Sequence, residues 1–241
     1  MPQVRKTGTA WELCLDDYAY TRGLDHAGWA WEFLRRNKDY QRDFRTNRAG
    51  HPVPINHTSG AIVLRLRRRV LAAEKWGLHC FADPHKSAPN AYVFWLTDHA
   101  QNSVNCTLRV ANDNDLGALS LATFAGQRRV LVTPHDEHVV VTCNQVSAHM
   151  VVRNSTFLIG ESVVTFEIRG LEEPEKPFVA IRTLRAMRSN QCAQSTVQDE
   201  YRSKYFDYLV ALDGHLAGRS YRDIAEVLYG SDRIGPYWTD D

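Results

Sequence analysis

Cysteine is scarce and scattered. The five residues Cys14, Cys80, Cys106, Cys143 and Cys192 are odd in number and never form a Cys-x-x-Cys pair. That argues against a disulfide framework and a zinc ribbon, and for the reducing interior of a cytoplasm. Net charge is almost absent: Lys+Arg 29 against Asp+Glu 28 leaves +1. Bulk charge therefore gives no reason to expect a nonspecific polyanion binder, although local patches remain open. Long apolar runs are missing too. No stretch approaches the ~20 residues that span a bilayer. The segment Met1-Pro2-Gln3-Val4-Arg5-Lys6-Thr7 is basic, but no apolar core follows it. Neither a secretory signal nor a membrane partner is expected. Gly 14 and Pro 9 exclude collagen-like and linker-dominated chains. What remains is 241 residues, 44% hydrophobic and 24% charged, enough for one large or two modest globular domains.

The N-terminal third is helical and aromatic in pattern. Asp25 suits an N-cap, and Trp29, Phe33, Tyr40 and Phe44 fall within about 60° of one another on a helical wheel. Asn37-Lys38-Asp39 can divide the stretch into two helices. Arg35, Arg36, Lys38, Arg42, Arg45 and Arg48, mixed with Glu32, Asp39 and Asp43, make a solvated charged face or a nucleic-acid contact. His51 to His57 reads as a loop. Ala61 to Trp76 fits a helix, while the alternation of Ile62, Leu64 and Leu66 fits a strand equally well. Its arginines, Arg65, Arg67, Arg68 and Arg69, suit a solvated face or phosphate contacts.

The middle changes character. Tyr92-Val93-Phe94-Trp95-Leu96, Thr107 to Val110, Arg129 to Thr133, Val139 to Cys143, Met150 to Arg153, Thr156 to Ile159 and Val163 to Ile168 are short strand-like runs. Turn residues such as Asn112-Asp113-Asn114-Asp115 separate several of them. They predict a central antiparallel sheet or roll. Leu171-Glu172-Glu173-Pro174-Glu175-Lys176-Pro177 is the best boundary, and everything after it reads as helix. The expected class is α+β, with residues 1–170 as one domain and 178–241 as a C-terminal helical domain.

In Gln198 to Leu216, Tyr205, Leu209, Leu212 and Leu216 form one narrow stripe. Gly218 suits a helix C′ position. Ser220 and Asp223 can form a capping box before a second helix, Tyr221 to Tyr229, with Ile224, Ala225 and Leu228 inward and Gly230 ending it. A long helix, a tight glycine connection and a short helix with a small inner residue is how a helix-turn-helix begins; a generic helical hairpin is the plainer reading. Thr239-Asp240-Asp241 resembles the N-cap and acidic first turn of a further helix. On that reading the helix-turn-helix lacks its recognition helix.

Tyr205 to Asp213 and Gly218 to Gly230 resemble a helix-turn-helix family of bacterial regulators carried on integrative and conjugative elements. The family was long catalogued only as a domain of unknown function. Tyr18-Ala19-Tyr20, Trp29 to Asn37, Asp39-Tyr40, Trp76-Gly77-Leu78, Phe81 to Pro84 and Val93-Phe94-Trp95 resemble the transcriptional-regulator-like domain that accompanies it. The resemblance implies activator-like control of mobile-element excision or transfer. Its partners would be DNA, once the motif is complete, and RNA polymerase or a small antiactivator. Arg219, Arg222 and Arg233 are the candidate phosphate contacts near the turn. Leu209, Leu212, Leu216, Tyr221, Ile224, Ala225 and Leu228 are the expected motif core. A second reading is a protein-interaction module that sequesters a related regulator.

Catalytic signals are weak. His135-x-x-His138 has no third ligand indicated nearby. Ser59 and Ser162 lack a nucleophile elbow. Cys80 beside His79 would point to the opposite face of a strand. A hydrolase is the least favoured alternative, and no catalytic residue, metal site or cofactor is expected.

Overall fold

The computed structural model describes residues 14–100, 102–168, 175–192 and 194–235. They fall into two units. One is continuous, Asp25–Ser195; the other joins the stretch up to Leu24 with Thr196 onward.

In the continuous unit, local capping starts the first two helices. The Asp25 carboxylate accepts from the Gly28 amide at 2.8 Å and opens α1 (His26–Leu34). Its other oxygen accepts from the Ser147 amide at 2.7 Å, which ties the helix start to the sheet. Asn37 accepts from the amides of Asp39 and Tyr40 and opens α2 (Lys38–Thr46). The aromatic stripe is therefore split where Asn37-Lys38-Asp39 suggested. Trp31 and Tyr40 meet edge to face at 5.7 Å. They are buried with Leu78, Phe81 and Ala91. The Tyr40 hydroxyl donates to the Ala82 carbonyl at 2.7 Å. Two of the expected surface arginines, Arg35 and Arg36, instead turn inward because the buried Glu32 carboxylate lies one helical turn away on the same face.

Among the described residues seven strands follow: β1 (Ile55–Asn56), β2 (Ile62–Arg65), β3 (Ser103–Val110), β4 (Gln127–Val132), β5 (Asp136–Cys143), β6 (Val146–Arg153) and β7 (Ser162–Glu167). Their order is β1-β2-β4-β5-β6-β3-β7. The class is α+β. The sheet is mixed rather than antiparallel, since β2 runs parallel to β4 and β3 to β6. The physical reason is connection length. The β5–β6 pair closes through Asn144-Gln145, both at positive φ, and a two-residue turn of that kind enforces an antiparallel partner. The parallel partners are joined by long crossovers instead. Gly126, at φ +90° before β4, lies where an added Cβ would come within 2.2 Å of the Thr142 carbonyl oxygen, so only glycine fits there.

Ala61 to Leu66 resolves as strand β2, and the helix that follows, α3 (Leu71–Glu74), is a single turn. Tyr92–Leu96 is no strand of the sheet. Its backbone pairs with Gly77 to His79, and the buried Phe94 joins a cluster with Leu64, Cys80, Leu131 and Val140 on one sheet face. Thr156–Ile159 forms a 3-10 turn (Phe157–Ile159) in place of a strand. The opposite face is covered by α4 (Glu175–Arg188). Ala180, Leu184 and Met187 pack with Val130, Val139, Val141, Met150 and Val152. The acidic segment read as a boundary lies mostly outside the described residues.

Cys143 and Cys192 are bonded, with Cα atoms 5.5 Å apart. This corrects the expectation of reduced cysteines throughout: a pair 49 residues apart carries no spacing signal, yet the end of β5 and the segment after α4 converge. Cys14, Cys80 and Cys106 are free. The crosslink closes a long loop of the unfolded chain, so its reduction is expected to cost about 4 kcal/mol. A lower urea midpoint in dithiothreitol, absent in Cys143→Ala, checks this.

The second unit contains a 3-10 helix (Leu15–Gly23), α5 (Asp199–Leu216), α6 (Tyr221–Tyr229) and a 3-10 turn (Ser231–Arg233). Tyr18 is buried. Its hydroxyl donates to the Asp213 carboxylate at 2.6 Å, and its ring meets Phe206 edge to face at 6.0 Å. That contact bridges 195 positions of sequence. Among the described residues no helix is long and apolar enough to cross a membrane.

Candidate nucleic-acid interface

The α5–α6 connection is set by backbone rules that can be followed atom by atom. The last turn of α5 closes with the Gly218 amide donating to the His215 carbonyl at 2.9 Å and the Arg219 amide to the Gly214 carbonyl at 3.0 Å. This is the paired pattern of a Schellman ending, and it requires the left-handed residue that Gly218 supplies at φ +75°. Ser220 then opens α6. Its hydroxyl accepts from the Asp223 amide at 3.1 Å, and the Asp223 carboxylate accepts from the Ser220 amide at 3.3 Å. One helix therefore stops and the next starts within four residues.

The two helices pack on each other. Leu209, Val210 and Gly214 are buried on α5, and Ile224 and Ala225 on α6. The buried Gly214 and the small Ala225 suit a close crossing. Of the other expected core residues, Leu212 and Leu228 are half-buried, while Leu216 and Tyr221 are exposed. Tyr221 is the first residue of α6, where a side chain has no preceding turn to cover.

The three candidate arginines differ. Arg219 is half-buried, and Arg222 is half-buried with its Nε 3.0 Å from Glu226. Arg233 is exposed on the closing 3-10 turn. The phenol of Tyr229 is pushed up, chiefly by the Asp207 carboxylate beside it. The sequence reading missed a group of exposed tyrosines, Tyr201 and Tyr208 on α5 and Tyr221 and Tyr229 on α6. Helical periodicity gives Tyr201, Tyr208 and Tyr229 no role and the sequence reading puts Tyr221 in the motif core, because periodicity separates apolar from polar and a tyrosine is both. The Thr239-Asp240-Asp241 reading lies outside the described residues.

The residues weighed for catalysis are placed as follows. Cys80 is fully buried and burial pushes its thiol up to about 12, so it is not a ready nucleophile. Ser162 is buried at the start of β7. His135 and His138 are not a pair. His135 lies in the turn before β5, while His138 points into the sheet unit, its Nδ1 3.1 Å from Nε2 of His149. The His79 ring lies 4.0 Å from that of His138. Sequence gave no sign of this trio, which three separate segments supply. Among the described residues, no group of three His, Cys, Asp or Glu side chains is arranged to hold a metal ion.

Two parts of the chain match family models. Residues 15–80 match a proteobacterial transcriptional regulator-like domain. They carry the first 3-10 helix, α1 to α3, β1 and β2. Residues 179–241 match a domain described as "T6SS, Transcription factor, DNA binding domain". They include most of α4 and all of α5 and α6. No curated protein matches the chain. The two matches support a DNA-binding regulator of transcription, a role that needs no catalytic centre.

Proposed function

We propose that the protein regulates transcription through a helix-turn-helix whose first two helices are α5 and α6, with Arg219, Arg222 and Arg233 contacting phosphates. The observation that carries the reading is the short, doubly capped connection from Gly218 to Asp223 inside the DNA-binding match. Two packed helices joined so tightly hold a fixed angle, which is what positions a reader against a groove. In this reading residues 1–170 form the regulator-like domain and 178–241 the DNA-binding one, and the protein works in the cytoplasm. Its target genes would be those for excision or transfer of a mobile element, as an activator that meets polymerase or an antiactivator. The T6SS wording of the C-terminal match supplies a second target set.

The test is selection of duplexes from genomic fragments, followed by anisotropy titrations across salt. A preferred site is expected, and its genomic position separates the two target sets. The triple variant Arg219→Ala/Arg222→Ala/Arg233→Ala is expected to weaken binding uniformly across sequences and to flatten the log–log salt slope by about 3. An unchanged slope would remove these arginines from the interface. The exposed tyrosines favour a second reading, a surface that sequesters a related regulator. It predicts a stable protein complex and little salt-dependent affinity for DNA.

A further inference from the structure

The sheet unit carries a cleft that the DNA-binding reading does not use. It is open on one side, with a volume of about 570 Å³, in the range of pockets for small metabolites. Its floor comes from one register row. His138 on β5 pairs with Val151 on β6, which pairs with Asn105 on β3, so the His138 and Asn105 side chains lie on the same sheet face. His79 packs over His138 from the covering segment. The loop with Arg68 and Arg69, the loop with Asp98 and the turn Thr133 to Asp136 complete the rim.

Two features point to a ligand. First, the cleft holds polar atoms that are buried and unsatisfied: Oδ1 of Asn105 and Nε2 of His79 have no hydrogen-bond partner. Buried polar atoms are normally paired, and an orphan at the wall of a cavity is a place where something else bonds. Second, the charges around the rim are unevenly committed. Arg69 holds Glu74 through two contacts, at 2.8 and 2.5 Å, and Arg153 lies 3.7 Å from Asp136. Arg68 and Asp98 form no ion pair among the described residues. Arg68 and Asp98 are thus exposed rim charges not committed to each other or to a neighbour, while Oδ1 of Asn105 is a buried acceptor without a donor.

We propose that this cleft binds a small metabolite joining one anionic group, held by Arg68, to an N–H or O–H donor that bonds Oδ1 of Asn105. Amino-carboxylates, hydroxy-carboxylates and sugar phosphates share that chemistry. The donor end reaches the floor beside the imidazoles of His79 and His138, and Asp98 favours a ligand whose donor is an ammonium. Bound there, the molecule bridges the loop after β2, the covering segment and the core strands β3 and β5, so occupancy stiffens the whole sheet unit.

The test is thermal unfolding of the full chain with L-glutamine, citrate and glucose 6-phosphate, each at millimolar concentration, with potassium chloride of equal ionic strength as reference. At least one probe is expected to raise the Tm by several degrees, and which one does distinguishes the three sources. The shift is expected to vanish in Arg68→Ala, an exposed position whose change leaves the fold intact, and in Asn105→Leu. It is expected to persist in Arg45→Ala on α2, away from the cleft. No shift with any of the three, or a shift that survives both cleft variants, overturns the proposal. Neither result bears on duplex binding, which is measured separately.

Discussion

Glu32→Ala is expected to remove about 3–5 kcal/mol of stability from the sheet unit, the cost of breaking a buried ion pair by deleting one partner. Glu32 is fully buried on α1. One carboxylate oxygen lies 2.6 Å from Nε of Arg35 and 2.6 Å from Nη1 of Arg36. The other accepts from the Ala88 amide at 2.7 Å. Burial alone would raise its pKa, but the two guanidinium groups outweigh that and hold it below the ordinary carboxylate value. Arg35 and Arg36 are themselves 3% and 5% exposed, so alanine at position 32 removes the carboxylate that two buried guanidinium groups share. The Ala88 amide loses its acceptor as well. Urea unfolding followed by tryptophan fluorescence checks this: the midpoint should fall with the slope unchanged. Asp39→Ala is the control. It breaks an ion pair with Arg42 in which both side chains are more than half exposed, and solvent screening should leave little change. Equal effects from the two variants would mean that burial at Glu32 is not what makes its ion pairs matter.

The features legible in the sequence are those that act over about four residues. Asp25, Asn37 and the Ser220–Asp223 pair cap helices because a short side chain and a nearby amide are all a cap needs. Gly218 ends α5 for an equally local reason. Helical period places Leu209, Ile224 and Ala225 inward, and they are buried. What periodicity could not show depends on distant partners. Arg35 and Arg36 look like surface charges until the fold brings the Pro84 carbonyl onto Arg35 and the Ala88 amide onto their shared partner Glu32. Tyr92–Leu96 has the composition of a core strand, but the sheet face it would join is the one it covers. The parallel partners of β2 and β3, the bond between Cys143 and Cys192 and the docking of Tyr18 on α5 all join residues far apart in the chain. The histidine trio is the extreme case, since His79, His138 and His149 become neighbours only when three segments stack.

Those histidines set the second large expectation, a loss of stability on mild acidification. His138 and His149 are 3% and 5% exposed. Burial pushes His138 down to about 2, helped by the neighbouring His149 and His79, and His149 down to about 3, helped by His79. His79 is lowered by burial as well. Both buried rings are neutral in the folded chain, whereas in the unfolded chain they take up protons near pH 6.5. Below 6.5 the unfolded state therefore binds more protons, and folding free energy is lost steadily as the pH falls toward the folded values. At about pH 5 the loss is about 2 kcal/mol for each ring, about 4 for the pair. Two carboxyl groups act the other way. Burial raises Asp25 and Glu137, so the folded state gains protons there first and recovers part of the loss. Glu32, Asp43, Glu74 and Asp115 are all lowered, and their stabilisation is lost as the pH falls from the ordinary carboxylate values down through their lowered ones, mostly below this window. The window between neutrality and about pH 5 thus belongs mainly to the imidazoles. The double variant His138→Gln/His149→Gln keeps polar side chains on the floor of the sheet and removes the titration. Its unfolding free energy should fall much less across that window than that of the unaltered protein, the remainder coming from His79 and His51, which burial also lowers. A profile that falls equally in both would place the acid sensitivity elsewhere.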